Sequence, residues 1–360
     1  MSARRTRVAL LAVGAAALIG AAMALAIGQS PLAAARAIVS GVLLDRDGIG
    51  AILFDATTLA LTGLSVAFAF RAGLFNIGAE GQLTVGAFAA AVIPLALPRA
   101  PGWVLVPLAA AGAACAGGIW GAIPGLLRAR LGGHEVLNTI MMNFVAAGLT
   151  GYLTVHVLRT PGEMIPQTPA IAAAAEIPRL GATPILRSVV SPASPANGAL
   201  FLALAAALLA SWTLARTPFG FRVRALGLGE RAAHTAGVPT RTTIVLAMTM
   251  AGALAGLAGV NEVLGFRHRF LDNFAGGVGF LGIAVALLGG ARPSGVLAAA
   301  LLFGALNAGA VEIDISTGIP RELVLVLQAA ILLVATAGDE LLRRFAHLGR
   351  LGRGLRRSRA

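Results

Sequence analysis

The sequence predicts an all-α polytopic membrane protein with about ten transmembrane helices, and no fewer than eight. Composition is the first reason: 58% of the 360 residues are hydrophobic and only 12% are charged, against about 25% charged in soluble domains. Mean hydropathy is +0.85. The second reason is that the apolar runs are long rather than alternating, which favours helices over a barrel. The third is that arginines gather at the ends of those runs. A formal net charge of +13 would suggest nucleic acid in a soluble chain; at segment ends it reads as membrane orientation, with no nucleic-acid partner. No lysine occurs, which fits codon bias better than function.

Ten apolar segments can be marked, at about 8–27, 50–70, 82–98, 102–124, 135–158, 198–215, 243–263, 279–291, 295–313 and 322–338. The eighth is short for a full span. The first has the basic start and apolar core of a signal peptide. It runs longer than such a core and lacks a clean A-x-A site, so a retained helix is expected. With the N-terminus inside, nineteen of the 28 arginines fall on the inner side. Those outside are interleaved with Asp45, Asp47, Glu163, Glu176 and Asp272. An N-in, C-in topology with an even number of helices follows. The expected organisation is one transmembrane domain, residues 1–338, and a basic cytoplasmic tail, 339–360. The outer loop 159–197, rich in proline and alanine, is expected to be ordered only in part.

The inner connection 216–242 is polar and basic. Pro218 and Gly220 are expected to end the preceding helix. Gly229 can then cap a two-turn helix, with Glu230 in its first turn, Ala232, Ala233 and Ala236 on its surface, and Gly237 as the C′ residue before Pro239. Small side chains there would admit another protein closely, although an ordinary amphipathic connector has the same pattern.

Several chemistries are missing from the sequence. It carries no CxxC or HExxH metal pattern, no GxSxG elbow and no Walker P-loop. Cys115, the single cysteine, excludes an internal disulfide. No catalytic residue, metal ligand or cofactor is expected, and ATP, if it powers the protein, must bind another chain. A proton- or sodium-driven carrier would favour an acidic or histidine relay within the membrane. Apart from Glu80 and Glu135, both assigned near the inner face, no paired buried carboxylates are expected in the spans.

Arg71 to Gln82, R-A-G-L-F-N-I-G-A-E-G-Q, interrupts two apolar runs. Gly73, Gly78 and Gly81 each cost a helix about 1 kcal/mol relative to alanine. Glycine-broken backbone at membrane depth is tolerated only inside protein or beside a wet cavity. Asn76, Glu80 and Gln82 are therefore candidates to line a substrate path; the alternative is an inner turn with Arg71 at the membrane surface. From Glu135, at 100° per residue, Asn138, Thr139, Met142 and Asn143 join Glu135 on one arc of about 140°, opposite Leu137, Ile140, Met141 and Phe144. That arc faces other helices, a pore, or both. The glycine-rich block 276–295 reads mainly as close helix packing. Glu262 and R-H-R-F-L-D-N, Arg267 to Asn273, are assigned to the outside, as a docking surface or a solvated loop.

Four blocks carry a family resemblance, spanning about residues 50–335. Ala225, Gly227, Ala232, Ala233, Ala236, Gly237 and Val238 resemble the A-x-G-x-N-x-x-A-A-x-x-A-G-I pattern of ABC importer permeases in the sugar, nucleoside and branched-chain amino acid superfamily. G-L-F-N-I-G-A-E-G-Q, G-G-H-E-V-L-N-T-I-M-M-N-F from Gly132 and G-V-G-F-L-G-I-A-V-A-L-L-G from Gly277 resemble the nucleoside-type permease subunit. The resemblance implies a non-enzymatic translocation subunit of a bacterial cytoplasmic membrane, importing nucleosides or nucleobases, with simple sugars as the alternative. It also implies three partners: a separate ATPase subunit, a second permease in a heterodimer, and an extracytoplasmic binding lipoprotein. The short helix becomes the coupling helix, so Ala225, Gly227, Gly229, Glu230, Arg231, Ala232, Ala233, Ala236 and Gly237 are the implied ATPase-contact residues. The family has asparagine where this chain has Gly229, a weaker N-cap.

Overall fold

The computed structural model describes residues 14, 18–22, 24–26, 28–160, 162–320 and 322–333. The chain divides into two compact units, residues 44–305 and residues 1–43 with 306–360. Among the described residues the structure is helical, with two isolated β-bridges, Gln167 to Leu271 and Arg179 to Asn197. In chain order the helices are α1 Pro31–Ile38, α2 Arg46–Arg71, α3 Ala79–Ala96, α4 Gly102–Leu131, α5 Glu135–His156 and α6 Ala199–Arg216. They continue with α7 Pro218–Leu228, α8 Glu230–Thr235, α9 Thr240–Glu262, α10 Val278–Leu288, α11 Pro293–Thr317 and α12 Glu322–Leu333.

Seven of these are long and apolar enough to cross a membrane: α2 to α6, α9 with its extension to Arg267, and α11. They coincide with seven of the ten expected segments. α10 and α12, at the eighth and tenth segments, are shorter apolar helices. Most of the first segment, and the basic tail 339–360, lie outside the described residues.

The larger unit is organised by α9. α2 shows how such helices are bounded: the Asp45 carboxylate accepts the amides of Asp47 (2.8 Å) and Gly48 (3.1 Å), and Arg71 occupies the last turn. An acceptor at the start and a cation at the end complement the helix dipole. Lateral association in a membrane cannot rest on a hydrophobic difference, because lipid is as apolar as leucine; it rests on close packing of small residues. α9 meets α4 and α3 in this way. A Cβ on Gly252 would strike the Gly117 carbonyl, and one on Gly117 would strike that of Gly252. Buried Ala87, Ala90, Ala109 and Ala113 line the same contact, capped by Val260, Leu264 and Phe270.

The helix before Pro218 ends at Arg216, with Thr217 extended, as expected. Pro218 also starts the next helix, because the Thr217 hydroxyl accepts the Gly220 amide (3.0 Å) and proline suits the first helical turn. The loop 159–197 is folded over its described length rather than ordered in part, which differs from expectation. Thr168, Ile171 and Ile177 donate backbone hydrogen bonds of 2.8–2.9 Å to Phe270, His268 and Leu264. The backbone beyond α9 thus supplies partners that composition does not reveal.

In the smaller unit, Ala24, Ile313 and Ile319 form a buried cluster with Leu323 against it, and Gln328 donates to Asn307 at 2.7 Å.

Gly252→Leu is expected to destabilise the larger unit by about 1–3 kcal/mol or more, the cost of overpacking. It should lower the temperature at which the detergent-solubilised protein loses its monodisperse elution peak. Leu246→Ala, at a side chain 45% exposed, should leave that temperature unchanged.

Candidate functional site

Two breaks in otherwise continuous spans meet inside the larger unit. The first follows α2. After Arg71 the chain turns, with Gly73 at φ +71° and the Leu74 amide bonded back to Ala69 O (3.0 Å). It then runs back along α2, so that Asn76 Nδ2 donates to Ser65 Oγ at 3.0 Å. Ser65 lies six residues before Arg71, or about 9 Å along the helix. The segment is therefore re-entrant, and α3 begins inside the protein rather than at the Arg71 end.

Its polar groups satisfy one another. The Asn76 and Gln82 side-chain amides exchange two hydrogen bonds, 2.8 and 3.0 Å, and Asn76 Oδ1 also accepts the Gly78 amide at 3.1 Å. From α5, Asn143 accepts the Gly81 amide (2.9 Å) and donates to Ile77 O (3.0 Å). This supplies one of the partners that the first turn of α3 needs.

The second break lies between α9 and α10. α9 runs into a π-helical turn, Val263–Arg267. His268, Asn273, Gly276 and Gly277 then all have positive φ, and α10 follows with eleven residues, about 16 Å or half a span. A Cβ on Gly282 would touch Thr62, and Arg71 Nε donates to Ala291 O at 2.8 Å. α10 therefore runs parallel to the second half of α2, from mid-depth to the Arg71 end.

Glu80 joins the two breaks. Its carboxylate oxygens accept the amides of Gly277 (2.8 Å) and Gly279 (2.6 Å) at the start of α10. These are charge-assisted bonds at the positive end of a helix dipole. Asn76, Glu80, Gln82 and Asn143 thus come together as a clamp holding a half-helix at mid-depth, the kind of discontinuity around which transporters build substrate sites.

The remaining residues of the α5 arc divide. Thr139 is fully buried against the turn at Gly78, its hydroxyl bonded to Glu135 O (2.8 Å). Met142 accepts the Trp120 indole N–H (3.1 Å) through its carbonyl. Glu135 pairs with Arg128 at 3.3 Å, away from the clamp. Asn138 Nδ2 is buried with no acceptor among the described residues. On the opposite side Leu137, Met141 and Phe144 are exposed, whereas Ile140 is half-buried.

The expectation of no paired carboxylates within the spans is overturned. Asp55 sits on α2 within electrostatic reach of Glu262. Glu262 is not in a solvated loop but only 6% exposed, and it accepts the Thr58 hydroxyl at 3.0 Å. The π-helical turn extends the helical path past residue 262, where the apolar window ends. Ser65, the Gly277 and Gly279 amides, Asp55 and Glu262 were all missed as partners. For α10 a signal existed, since a glycine-rich entry to a short apolar helix offers open N–H groups.

The connection 216–242 forms α7 and α8, with Gly237 at φ +82° just past the end of α8, as expected of a C′ residue. Ala232, Ala236 and Arg231 are exposed, while Ala233 and Val238 are buried beneath the helix. Gly229 and Ala225 are half-buried. Leu228, not anticipated, is 92% exposed. Gly227 lies against the end of α2, where a Cβ would strike the Arg71 carbonyl, and Phe219 stacks on Phe68 with centroids 6.2 Å apart. Arg128 ties Glu230 (3.1 Å) to Glu135. A cavity of about 1230 Å³ opens beside α8, lined by Arg128, Arg130, His234 and Arg241 among others.

A bundle of long apolar helices, two re-entrant breaks joined at mid-depth and a short exposed helix between spans define a membrane transport subunit. The chain belongs to the family described as the branched-chain amino acid transport system / permease component, whose model matches residues 48–336. It is 40% identical over 320 residues to the guanosine ABC transporter permease protein NupP of Bacillus subtilis, covering 88% of this chain and 89% of that one. It is 35% identical over 334 residues to the nucleoside ABC transporter permease protein NupB of Lactococcus lactis, covering 91% and 90%. A third relative, the glucose ABC transporter permease protein TsgB13 of Haloferax volcanii, is 34% identical over 329 residues, covering 91% and 84%.

Asn76→Ala leaves buried partners of the amide pair unsatisfied, a loss of about 1–3 kcal/mol. Its melting temperature in detergent should fall. Glu80→Ala removes both acceptors of the α10 amides and should fall further than Glu80→Gln, which keeps one oxygen acceptor. Equal melting of all three variants and the wild type would show that the clamp carries no stability.

Proposed function

We propose that this chain is the translocation subunit of an ATP-driven importer of nucleosides or related nucleobases. The observation that carries the substrate class is the 40% identity to a guanosine permease over nearly the whole of both chains. The glucose relative supports simple sugars as the second reading, since ribose and hexose hydroxyls share chemistry.

The subunit contributes no reaction of its own: ATP binds and is hydrolysed in a separate ATPase subunit. α8 is the coupling helix. It offers Leu228, Ala232 and Ala236 to the ATPase, while Ala233 and Gly227 fasten the coupling segment to the permease. When the ATPase closes, α7 and α8 move. Gly227 transmits that motion to the Arg71 turn, and the re-entrant segment and α10 change the access of the path between the two sides. Asn76, Glu80, Gln82 and Asn143 position these breaks, and Asn138, Thr139, Met142 and Glu135 belong to the flanking wall.

The N-in, C-in topology places α8 in the cytoplasm of a bacterium whose inner membrane holds the spans. Residues 1–338 act as one permease domain with a basic tail. A second permease subunit completes the path, and an extracytoplasmic binding lipoprotein delivers the cargo.

Leu228→Glu combined with Ala232→Glu should abolish co-purification of the ATPase and bring uptake to background, with membrane levels unchanged; wild-type uptake would sink the coupling assignment. Unlabelled guanosine should suppress labelled guanosine uptake in cells carrying the transporter, and excess glucose should not. Suppression by glucose alone would favour the sugar reading.

A further inference from the structure

α8 is too short to hold itself in place. It has six residues and no side-chain cap at its first turn, and isolated helices that short do not persist in water. Its position is therefore set by what it touches. Ala233 and Val238 are buried beneath it. Among the described residues, one side-chain bond leaves it for another helix: Glu230, in its first turn, accepts Arg128 Nη2 at 3.1 Å.

Arg128 stands in the last turn of α4 and meets a second acid. Its Nε lies 3.3 Å from Glu135, in the first turn of α5. The Glu135 side chain is 15% exposed, so this half of the bridge is largely sealed. An isolated surface pair would contribute little. One guanidinium between two carboxylates differs, because without it two like charges would face each other. The Nε is buried and forms no hydrogen bond, so Glu135 holds it by charge alone. The guanidinium can therefore follow Glu230 or close on Glu135 while its backbone stays in α4, which Gly117 and Gly252 lock to α9.

α5 carries the far end of this route. Asn143 lies eight residues after Glu135, about 12 Å along the helix, and bonds the Gly81 amide and Ile77 O of the re-entrant segment. The Gly227 contact reaches that segment at its start, the Arg71 turn. α5 reaches it at its end, where α3 begins.

We infer that Arg128 is a positioning residue that couples the first turn of α8 to the first turn of α5, so that motion of the coupling helix reaches the re-entrant segment through Asn143 as well as through Arg71. The inference rests on the coupling-helix reading above and adds a second route, with α5 as a moving element.

Coupling between two helices is a free energy, which a double-mutant cycle measures. The complete transporter, with its ATPase, second permease and binding protein, is reconstituted in proteoliposomes, and guanosine uptake and ATP hydrolysis are measured together. Arg128→Gln and Glu135→Gln are each expected to lower the guanosine imported per ATP about fivefold or more, the low end of typical coupling, with the ATPase still bound and hydrolysing. Arg128→Lys, which keeps the charge without the planar fork, should recover part of that ratio. Adding Glu135→Gln to Arg128→Gln should lower it no further. Additive losses would make Glu135 a wall residue acting alone and overturn the route, as would a wild-type ratio in either single variant. Loss of the bound ATPase, with uptake and hydrolysis falling together, would assign Arg128 to docking and overturn it equally. If Arg128→Gln does not reach the membrane, Glu135→Gln, which does not touch the Glu230 bond, decides by the same ratio. A wild-type complex that imports neither guanosine nor glucose with ATP would overturn the importer reading and the route with it. One that imports glucose alone overturns only the nucleoside class, and the same cycle run on glucose decides the route.

Discussion

A single carboxylate decides how the two broken spans fit together. Glu80 lies where water is scarce, and an ionised group there is tolerated only if its lone pairs are met. The amides of Gly277 and Gly279 meet them, and those amides face the complementary problem: they head a helix and have no intrahelical acceptor. Each group removes the other's penalty. The pairing requires that the first turn of α3 and the start of α10 lie at one depth, which in turn requires the Arg71 turn to fold back on α2 and the chain after Arg267 to descend without helix. Asn76, Gln82 and Asn143 are the means of the first condition, and the positive-φ residues His268, Asn273, Gly276 and Gly277 of the second.

In the proposed cycle the same geometry puts the moving parts in series. Gly227, next to α8, abuts the Arg71 carbonyl, and Arg71 holds Ala291 beyond the far end of α10. The start of α10 is held by Glu80. In the proposed cycle a displacement of the short exposed helix passes to Arg71 through a backbone contact that no side chain cushions, and from there to the two ends of the half-helix through the side chains of Arg71 and Glu80. Packed interiors respond to such displacements by switching arrangement rather than deforming smoothly. α9, by contrast, is locked to α4 backbone-to-backbone through Gly117 and Gly252, which suits it to the static part.

Much of this was legible in the sequence, for reasons that differ by element. The seven long spans follow from run length alone. α8 was visible because its ends are local: Gly229 and Gly237 act within a few residues. The α5 arc was visible because 100° per residue is a strong constraint; Leu137, Met141 and Phe144 face outward as that angle requires. What stayed hidden depends on distant partners. That Asn76 closes on Gln82 depends on how a loop folds back, and that Glu80 caps α10 depends on a contact some two hundred residues away in the chain. Glu262 was misplaced because a hydropathy window cannot see a π-helical turn, and Asp55 because one acid in an apolar run leaves the average untouched.

Satisfaction of polar groups offers a way to separate scaffold from path. The amides of Asn76, Gln82 and Asn143 have partners within the chain, and a cargo bonding to them would have to break those bonds first, losing about as much as it gained. Such residues are poorly suited to contact a solute that must leave as readily as it enters. Asn138 and Asp55 are different: each presents polar atoms that the described residues do not satisfy. Asn138 Nδ2 is buried in this structure, so a solute could use that unmet donor only where the wall around α5 rearranges. The conspicuous polar motif is thus the frame, and the less conspicuous unpaired residues are the better candidates for contact.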